Sequence, residues 1–191
     1  MAMKVLKQPS IPLNAIKLYG DMGELDRAMT LATAAARVPN LAGQAHLLAA
    51  DALRRAGRNS EAIAQYEKVL DASFRNKEYQ KRFQQRAKES IEAIRLNDRA
   101  QVARVADGKY EGVGEGYNGA LRVSVSVQDK KITDVQVVDH QEKQFYAAIS
   151  DTTAQIIAKQ AVTGIDATSR ATITSQAIIN ASAKALASGA K

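Results

Sequence analysis

The chain has 191 residues, a formal net charge of +7 and no cysteine. The lack of cysteine excludes disulfides, iron–sulfur clusters, thiolate zinc sites and attached c-type haem. The charge is unevenly divided, because residues 1–105 carry 18 Lys and Arg against 11 Asp and Glu, whereas residues 106–191 carry nine of each class. This division, and a change in composition at the same place, predict two domains at residues 1–104 and 107–191.

The basic excess of the first half raises the question of its partner. Nucleic acid is one class, since Lys and Arg neutralise phosphates. The stacking aromatics near the densest basic run are few, namely Phe74, Tyr79 and Phe83, so we expect a protein or surface contact and no nucleic acid. No apolar run is long enough to span a membrane, and the start MAMKVLKQPS lacks the apolar core of a signal peptide. We therefore expect this sequence to be soluble, and an upstream signal or membrane anchor to have been removed if the protein is exported.

The first half is rich in Ala, Leu, Arg, Gln and Glu, a composition typical of consecutive helices. The predicted helices are 13–21, 24–38, 42–56, 60–72 and 76–104. The last of them is strongly basic, and we expect it to cap the other helices as a stalk, or else to be a solvated helix face.

Two helical hairpins of this half repeat. Gly23 and Gly57 lie 34 residues apart in turns that precede a helix, and Ala28 and Ala62 keep that offset. The period resembles a tetratricopeptide repeat, although the chain has no Trp and has Phe74 where Pro is usual. A generic antiparallel helical bundle is the alternative.

The second half begins with VADGKYEGVGEGYNG, which breaks the helical pattern. In LRVSVSVQ the apolar residues alternate with polar ones, so one strand face is predicted to be buried. That face carries Leu121, Val123, Val125 and Val127. A turn at Asp129 to Lys131 leads into ITDVQVVD, where imperfect alternation indicates a β-bulge.

Helical periodicity returns in SDTTAQIIAKQAVTG, with Ser150 or Asp151 suited to cap its start, and again in SQAIINASAKALASG. The order of strand, strand, strand, helix, loop, helix predicts helices against an antiparallel sheet. The predicted fold class is therefore α+β overall, with an all-helical, repeat-like half preceding a small sheet-and-helix domain.

The loop between these two helices is rich in hydroxyls, with five in residues 168–175. Because the loop ends at a helix start, unpaired N–H groups and the helix dipole favour a phosphate there. A helix cap that has more Ser and Thr than it needs is the alternative.

The order of residues in this loop resembles the flavinylation motif of the FMN-binding domain family, which is Asp, two variable residues, Ser, Gly, Ala, Thr. Asp166, Ser169, Ala171 and Thr172 match, and Arg170 stands where Gly is commoner. The pattern continues in the next residues, Thr174 and Ser175. The resemblance covers roughly residues 107–188, and the family includes flavin-carrying subunits of the sodium-translocating quinone reductase and of related membrane redox complexes.

The resemblance implies that FMN is esterified through its phosphate to Thr172 by a separate flavin transferase that uses FAD and a divalent metal. It implies further cofactor contacts at Asp166, the hydroxyls of the motif and Glu142, the latter from a His-x-Glu segment at His140. Arg170 could approach the phosphate, and Tyr117 could pack against the flavin ring. The resemblance also implies that the chain is an electron carrier outside the cytoplasm, working beside a haem protein or a membrane complex.

Two other functions remain open at this point. The chain could be a non-redox helical scaffold whose second domain is degenerate and carries no flavin. A hydrolase or transferase using Ser169 or Thr172 as nucleophile is poorly supported, because such chemistry needs a positioned base, and the only imidazoles are His46 and His140. We therefore expect no catalytic residues and no metal site.

Overall fold

The computed structural model describes residues 12–74, 76–144, 146–168 and 170–191. Within these ranges the helices and strands confirm the α+β fold class, with five packed helices followed by an antiparallel sheet and two more helices. Their bounds are α1 (Leu13–Asp21), α2 (Leu25–Ala36), α3 (Pro39–Arg55), α4 (Asn59–Asp71), α5 (Lys77–Arg95), a 3-10 turn (Val102–Arg104), β1 (Gly108–Glu115), β2 (Ala120–Gln128), β3 (Lys131–Asp139), α6 (Ala147–Lys159) and α7 (Thr172–Ser188). No helix among the described residues is both long and apolar enough to cross a membrane.

The two turns that repeat in the sequence also repeat in geometry. Gly23 and Gly57 follow α1 and α3 with φ of 77° and 74°, in the left-handed region that favours glycine. In each turn the next N–H, of Glu24 or of Arg58, donates to a carbonyl of the preceding helix, at 2.8 and 2.9 Å respectively. The alanines five residues after each glycine are fully buried. The 34-residue repeat is therefore a repeat of structure.

Most helix bounds lie within three residues of the sequence prediction, and two differ by more. The basic helix expected to run to residue 104 ends at Arg95, where Leu96, Asn97 and Asp98 form a turn. Asn and Asp favour turns because their side chains compete for backbone hydrogen bonds. The helix expected to be capped by Ser150 or Asp151 begins earlier, at Ala147.

The sheet has the order β1-β2-β3 and is antiparallel throughout. Its core face is the predicted one, because the alternating apolar residues of β2 from Leu121 to Val127 are all buried. Asp129 and Lys130, with φ of 51° and 58°, form the two-residue turn between β2 and β3. The β2–β3 register shifts at two places, between Arg122 and Val123 and again further along β2, which confirms the predicted bulge.

Helix α7 lies at the centre of the molecule, with 13 of its 17 residues buried. One side packs closely on β1, because Gly112 and Gly114 have no side chain. A Cβ added at Gly112 would lie 2.0 Å from the carbonyl oxygen of Ala181. One added at Gly114 would lie 2.3 Å from the carbonyl oxygen of Ala177. A helix enclosed in this way needs small and apolar residues around its whole circumference.

The other side of α7 faces the helical half. Arg54 on α3 donates to the side-chain oxygen of Asn180 at 2.8 Å, and Lys184 lies 2.9 Å from a carboxylate oxygen of Glu92 on α5. Arg99 donates to the carbonyl of Ala187 at 3.2 Å. The two halves differ in composition, yet they share an interface along α7.

A largely buried ion pair also belongs to this interface. Arg86 of α5 contacts Asp51 of α3 and also donates to Gln176 of α7. The hydroxyl of Tyr66 donates to the other oxygen of Asp51 at 2.7 Å, and burial, followed by the charge of Asp51, raises the pKa of Tyr66. Because both charges are paired and hydrogen-bonded, the cluster holds four helices, α3, α4, α5 and α7, in one arrangement.

Candidate functional site at the start of helix α7

The loop that enters α7 is fixed by hydrogen bonds from both flanking helices. The side chain of Gln155 on α6 holds Asp166 by accepting from its N–H at 2.9 Å and donating to its carbonyl at 3.0 Å. The N–H of Thr168 donates to the hydroxyl of Ser175 at 3.0 Å, and the N–H of Ala171 donates to the carbonyl of Thr168 at 3.0 Å. The loop therefore presents its residues in a defined geometry.

Arg170 has a φ of 66°, in the left-handed region. Non-glycine residues rarely adopt this conformation, which costs roughly 1–2 kcal/mol. The motif commonly has Gly at this position, and the backbone angle gives the physical reason. Here the arginine adopts the same conformation, and its side chain remains exposed.

Helix α7 begins at Thr172, and its N-cap is Ala171. Alanine has no side-chain oxygen, so the N-cap cannot accept from the first N–H groups of the helix. Those groups and the positive end of the helix dipole lie beside the half-buried Thr172. The arrangement suits an anionic group such as a phosphate.

Two clefts meet at Thr172, and both lie between the two halves. We name them by one lining residue each. The Arg55 cleft has a volume of about 390 Å³ and is bordered by α1, α3, residues 162–167 and α7. The Tyr117 cleft has a volume of about 640 Å³ and is bordered by α1, Tyr117, Gln144 and residues 170–174. Thr172 lines both, as do Lys17 and Asp21 of α1.

The wall of the Arg55 cleft is a chain of alternating charges. Lys17 pairs with Asp21, and a carboxylate oxygen of Asp21 accepts from the guanidinium of Arg55 at 2.8 Å. The same guanidinium lies 3.0 Å from a carboxylate oxygen of Asp166. These four side chains connect α1, α3 and the loop before α7. Each exposed pair contributes little to stability, but together they fix α1 relative to Thr172.

The Tyr117 cleft has a more apolar lining. Leu18 of α1 is 56% exposed and Tyr117 is 39% exposed, although both are large and apolar. Ile173, the second residue of α7, lines the cleft with them. The guanidinium of Arg82 lies 5.2 Å from the ring centroid of Tyr117. Large apolar side chains exposed together around a cleft are typical of a binding site.

Glu142 holds the turn that carries Tyr117. It is 6% exposed, and its carboxylate accepts from the N–H of Tyr117 at 2.7 Å and from the amide of Asn118 at 3.2 Å. A Cβ at Gly116 would lie 2.4 Å from one of these oxygens, so a larger residue there would displace the carboxylate. Glu142 therefore affects the cleft by holding Tyr117 in position.

The structure brings together part of the predicted site. The predicted residues that line the Tyr117 cleft are Tyr117, Arg170, Ala171, Thr172 and Thr174. Asp166 and Ser175 fix the loop behind it, and Ser169 lies outside the described residues. Sequence reasoning missed the contribution of the helical half, namely Lys17, Leu18, Asp21 and Arg55. The basic excess of that half was the only available signal.

Comparison with known proteins supports the resemblance of the second half of the chain to the FMN-binding domain family. Residues 116–187 match the family model described as FMN-binding domain. The chain is also 40% identical over 86 residues to an uncharacterised protein of Treponema pallidum (strain Nichols). That match covers 44% of this chain and 24% of the relative, so the chain spans about a quarter of the relative's length. No tetratricopeptide family model matches the helical half. These findings identify an FMN-binding domain at residues 116–187 of the chain.

Proposed function

We propose that this chain is an electron-transfer flavoprotein module that works outside the cytoplasm and carries FMN through a phosphoester on Thr172. The observation that carries the proposal is the position of Thr172, half-buried at the start of α7 where two clefts meet. Its hydroxyl is a suitable ester acceptor because it lies beside the N–H groups of the first turn of α7, which favour a phosphate. The FMN-binding domain match at residues 116–187 supports FMN as the group that is carried.

The side chains around Thr172 fit both parts of FMN. Arg170 and the first N–H groups of α7 would hold the phosphate by charge-assisted hydrogen bonds. Leu18, Tyr117 and Ile173 offer apolar surface for an aromatic ring. When bound, FMN would supply one- and two-electron redox chemistry, while these residues orient it and limit water at the ring.

In the attachment reaction Thr172 would be the acceptor and a separate flavin transferase the catalyst. The hydroxyl oxygen forms the new bond to the FMN phosphorus of FAD, the phosphoanhydride bond breaks, AMP leaves and the hydroxyl proton is released. The ester keeps the flavin on the protein where free flavin is scarce. The chain itself needs no catalytic base, in keeping with a carrier and not a stand-alone enzyme.

The location and the partners belong to the same proposal. The flavin-carrying subunits that the motif resembles support a place outside the cytoplasm, beside a haem protein or a membrane redox complex. The helical half carries the net charge of +7 and would serve as the docking surface for that redox partner. Its repeat of turns at Gly23 and Gly57 supports a tetratricopeptide-like arm. Fractionation of cells producing the full-length protein tests the location.

The direct test is the intact mass of the full chain after expression with and without a flavin transferase. The proposal expects a gain equal to FMN less one water, only with the transferase, and peptide mapping should place it on Thr172. Thr172→Ala should abolish the gain, and Thr172→Ser should retain part of it because the oxygen remains. Thr163→Ala is the matched control, since Thr163 is an exposed hydroxyl residue of the Arg55 cleft. An unmodified chain in both cases would overturn the proposal.

That negative result would support the second candidate, a non-redox helical scaffold with a degenerate flavin domain. The observation that favours it is Arg170, which stands in the left-handed conformation where the motif commonly has Gly.

A further inference from the structure

We propose that α1 of the helical half forms one wall of the flavin site, with Leu18 covering the isoalloxazine ring of the FMN attached to Thr172 in the Tyr117 cleft. This inference rests on the proposed function. It extends that function to a part of the chain that the FMN-binding domain match, at residues 116–187, does not include.

The choice between the two clefts follows from their linings. Lys17 and Asp21 line both clefts, but only the Arg55 cleft also contains Arg55, the partner of Asp21, and the carboxylate of Asp51, so its lining is the more highly charged of the two. The Tyr117 cleft is larger, at about 640 Å³ against about 390 Å³, and it contains Leu18, Tyr117 and Ile173. Binding sites for ligands of this size are mostly apolar and of about 300–1,000 Å³. The flat ring therefore fits the Tyr117 cleft.

The exposure of Leu18 supports the same choice. It lies in the cleft with Thr172 and is 56% exposed, so a large apolar side chain faces the space that a tethered ring can reach. Covering apolar surface of this kind stabilises the bound state by roughly 25 cal/mol for each Å² removed from water. Tyr117 faces the same space from the opposite half, which gives the ring two walls.

The wall formed by α1 is held in place. Gly20 packs against α3 so closely that an added Cβ would lie 2.7 Å from the Cβ of Ala52. Asp21 is bonded to Arg55, which also contacts Asp166 in the loop before α7. Leu18 therefore keeps a defined position relative to Thr172, as a ring-covering side chain requires.

The test uses the full chain, flavinylated by co-expression with the transferase, and compares Leu18→Gln with Met22→Gln. Met22 is the matched control, because it is 61% exposed directly after α1 and does not line the cleft. Both side chains are exposed, so neither change should impair folding. The first readout is intact mass, which gives the flavin content of the parent and of both variants, so that the second readout is compared per bound flavin.

The second readout is quenching of the flavin fluorescence by acrylamide, a neutral quencher. Since pockets of this kind cover most of a ligand's surface, loss of the Leu18 wall should raise the quenching constant about twofold, with Met22→Gln unchanged. Tyr117→Leu should raise the fluorescence yield, because a tyrosine against the ring quenches it by electron transfer. Equal quenching in Leu18→Gln and Met22→Gln, with flavin present in both, would overturn this inference and leave the proposed function intact. Absence of flavin from the parent would instead overturn the proposed function.

Discussion

The guanidinium of Arg86 on α5 donates two hydrogen bonds, of 3.1 and 2.9 Å, to the side-chain oxygen of Gln176 on α7. The same guanidinium is paired with Asp51, so one buried side chain joins α3, α5 and α7. The two halves of the chain are therefore connected through a buried charge of the helical half that donates to α7.

Replacing Arg86 with Met should lower the free energy of unfolding by about 3 kcal/mol or more, because Asp51 would keep a buried charge without its partner. Chemical denaturation measures this loss. Arg95→Met is the control on the same helix, since its pair with Glu67 is exposed and should contribute less than about 1 kcal/mol. Equal losses in the two variants would contradict the role of the buried pair.

Residues 106–191 expressed alone should be poorly soluble and should lack a cooperative unfolding transition. The reason is that α7 would expose the face that now contacts Arg54, Arg86 and Glu92. Co-expression of residues 12–105 as a separate piece should restore solubility, since the break falls after the 3-10 turn. A soluble, cooperatively folding fragment would show that the sheet and α6 suffice to hold α7.

We expect the free energy of unfolding of Arg170→Gly to exceed that of Arg170→Ala by about 1 kcal/mol. Both variants lose the guanidinium, so they differ only in that alanine, unlike glycine, is strained in the left-handed conformation. Thermal unfolding of the two variants gives the difference. If alanine proved as stable as glycine, the backbone angle would not explain why glycine is common at this position of the motif.

If flavin attachment to Thr172 depends on the carboxylate of Asp166, that carboxylate can act in one of two ways, which a pair of variants separates. Asp166→Asn should slow flavin attachment under limiting transferase. If Asp166 acts by fixing the loop through Arg55, then Arg55→Met should slow attachment to a similar extent. If it acts on the metal of the transferase, only the Asp166 variant should be slow. Time-resolved intact mass measures both rates.

Much of the fold follows from sequence patterns that act within one element. The alternation from Leu121 to Val127 predicts the buried strand face, and the glycine spacing predicts the repeated turns. The end of α5 at Arg95 was not predicted, because helix-forming composition continues beyond it. The order of residues at the loop pointed to Thr172, but nothing in a local pattern shows that Leu18, more than 150 positions earlier, lies in the same cleft. Periodicity shows which face of a helix is apolar, and only packing decides what that face meets.

Glu115 should make stability depend on pH. Burial raises its pKa, and the carboxylate of Glu89, which accepts from the Glu115 N–H at 2.7 Å, raises it further. The folded state therefore holds the proton more tightly than the unfolded chain, so the free energy of unfolding falls as pH rises from the ordinary carboxyl pKa through the raised one. Glu115→Gln should increase the melting temperature at neutral pH, and the gain should vanish below about pH 4. A gain that is constant with pH would contradict this origin.

Helix α7 comes after every element that it packs against, with α5, β1 and β2 all earlier in the chain. Its contacts join distant residues, as with Arg54 and Asn180, which are 126 positions apart. The entropy of closing such long loops must be overcome before the contacts stabilise the chain, so high contact order slows folding. Until α7 docks, the layers on both sides of it expose the apolar surface that it covers. The cleft around Thr172 exists only where α7 has docked, so an enzyme that recognises the assembled cleft would modify folded molecules and leave molecules with an undocked α7 unmodified.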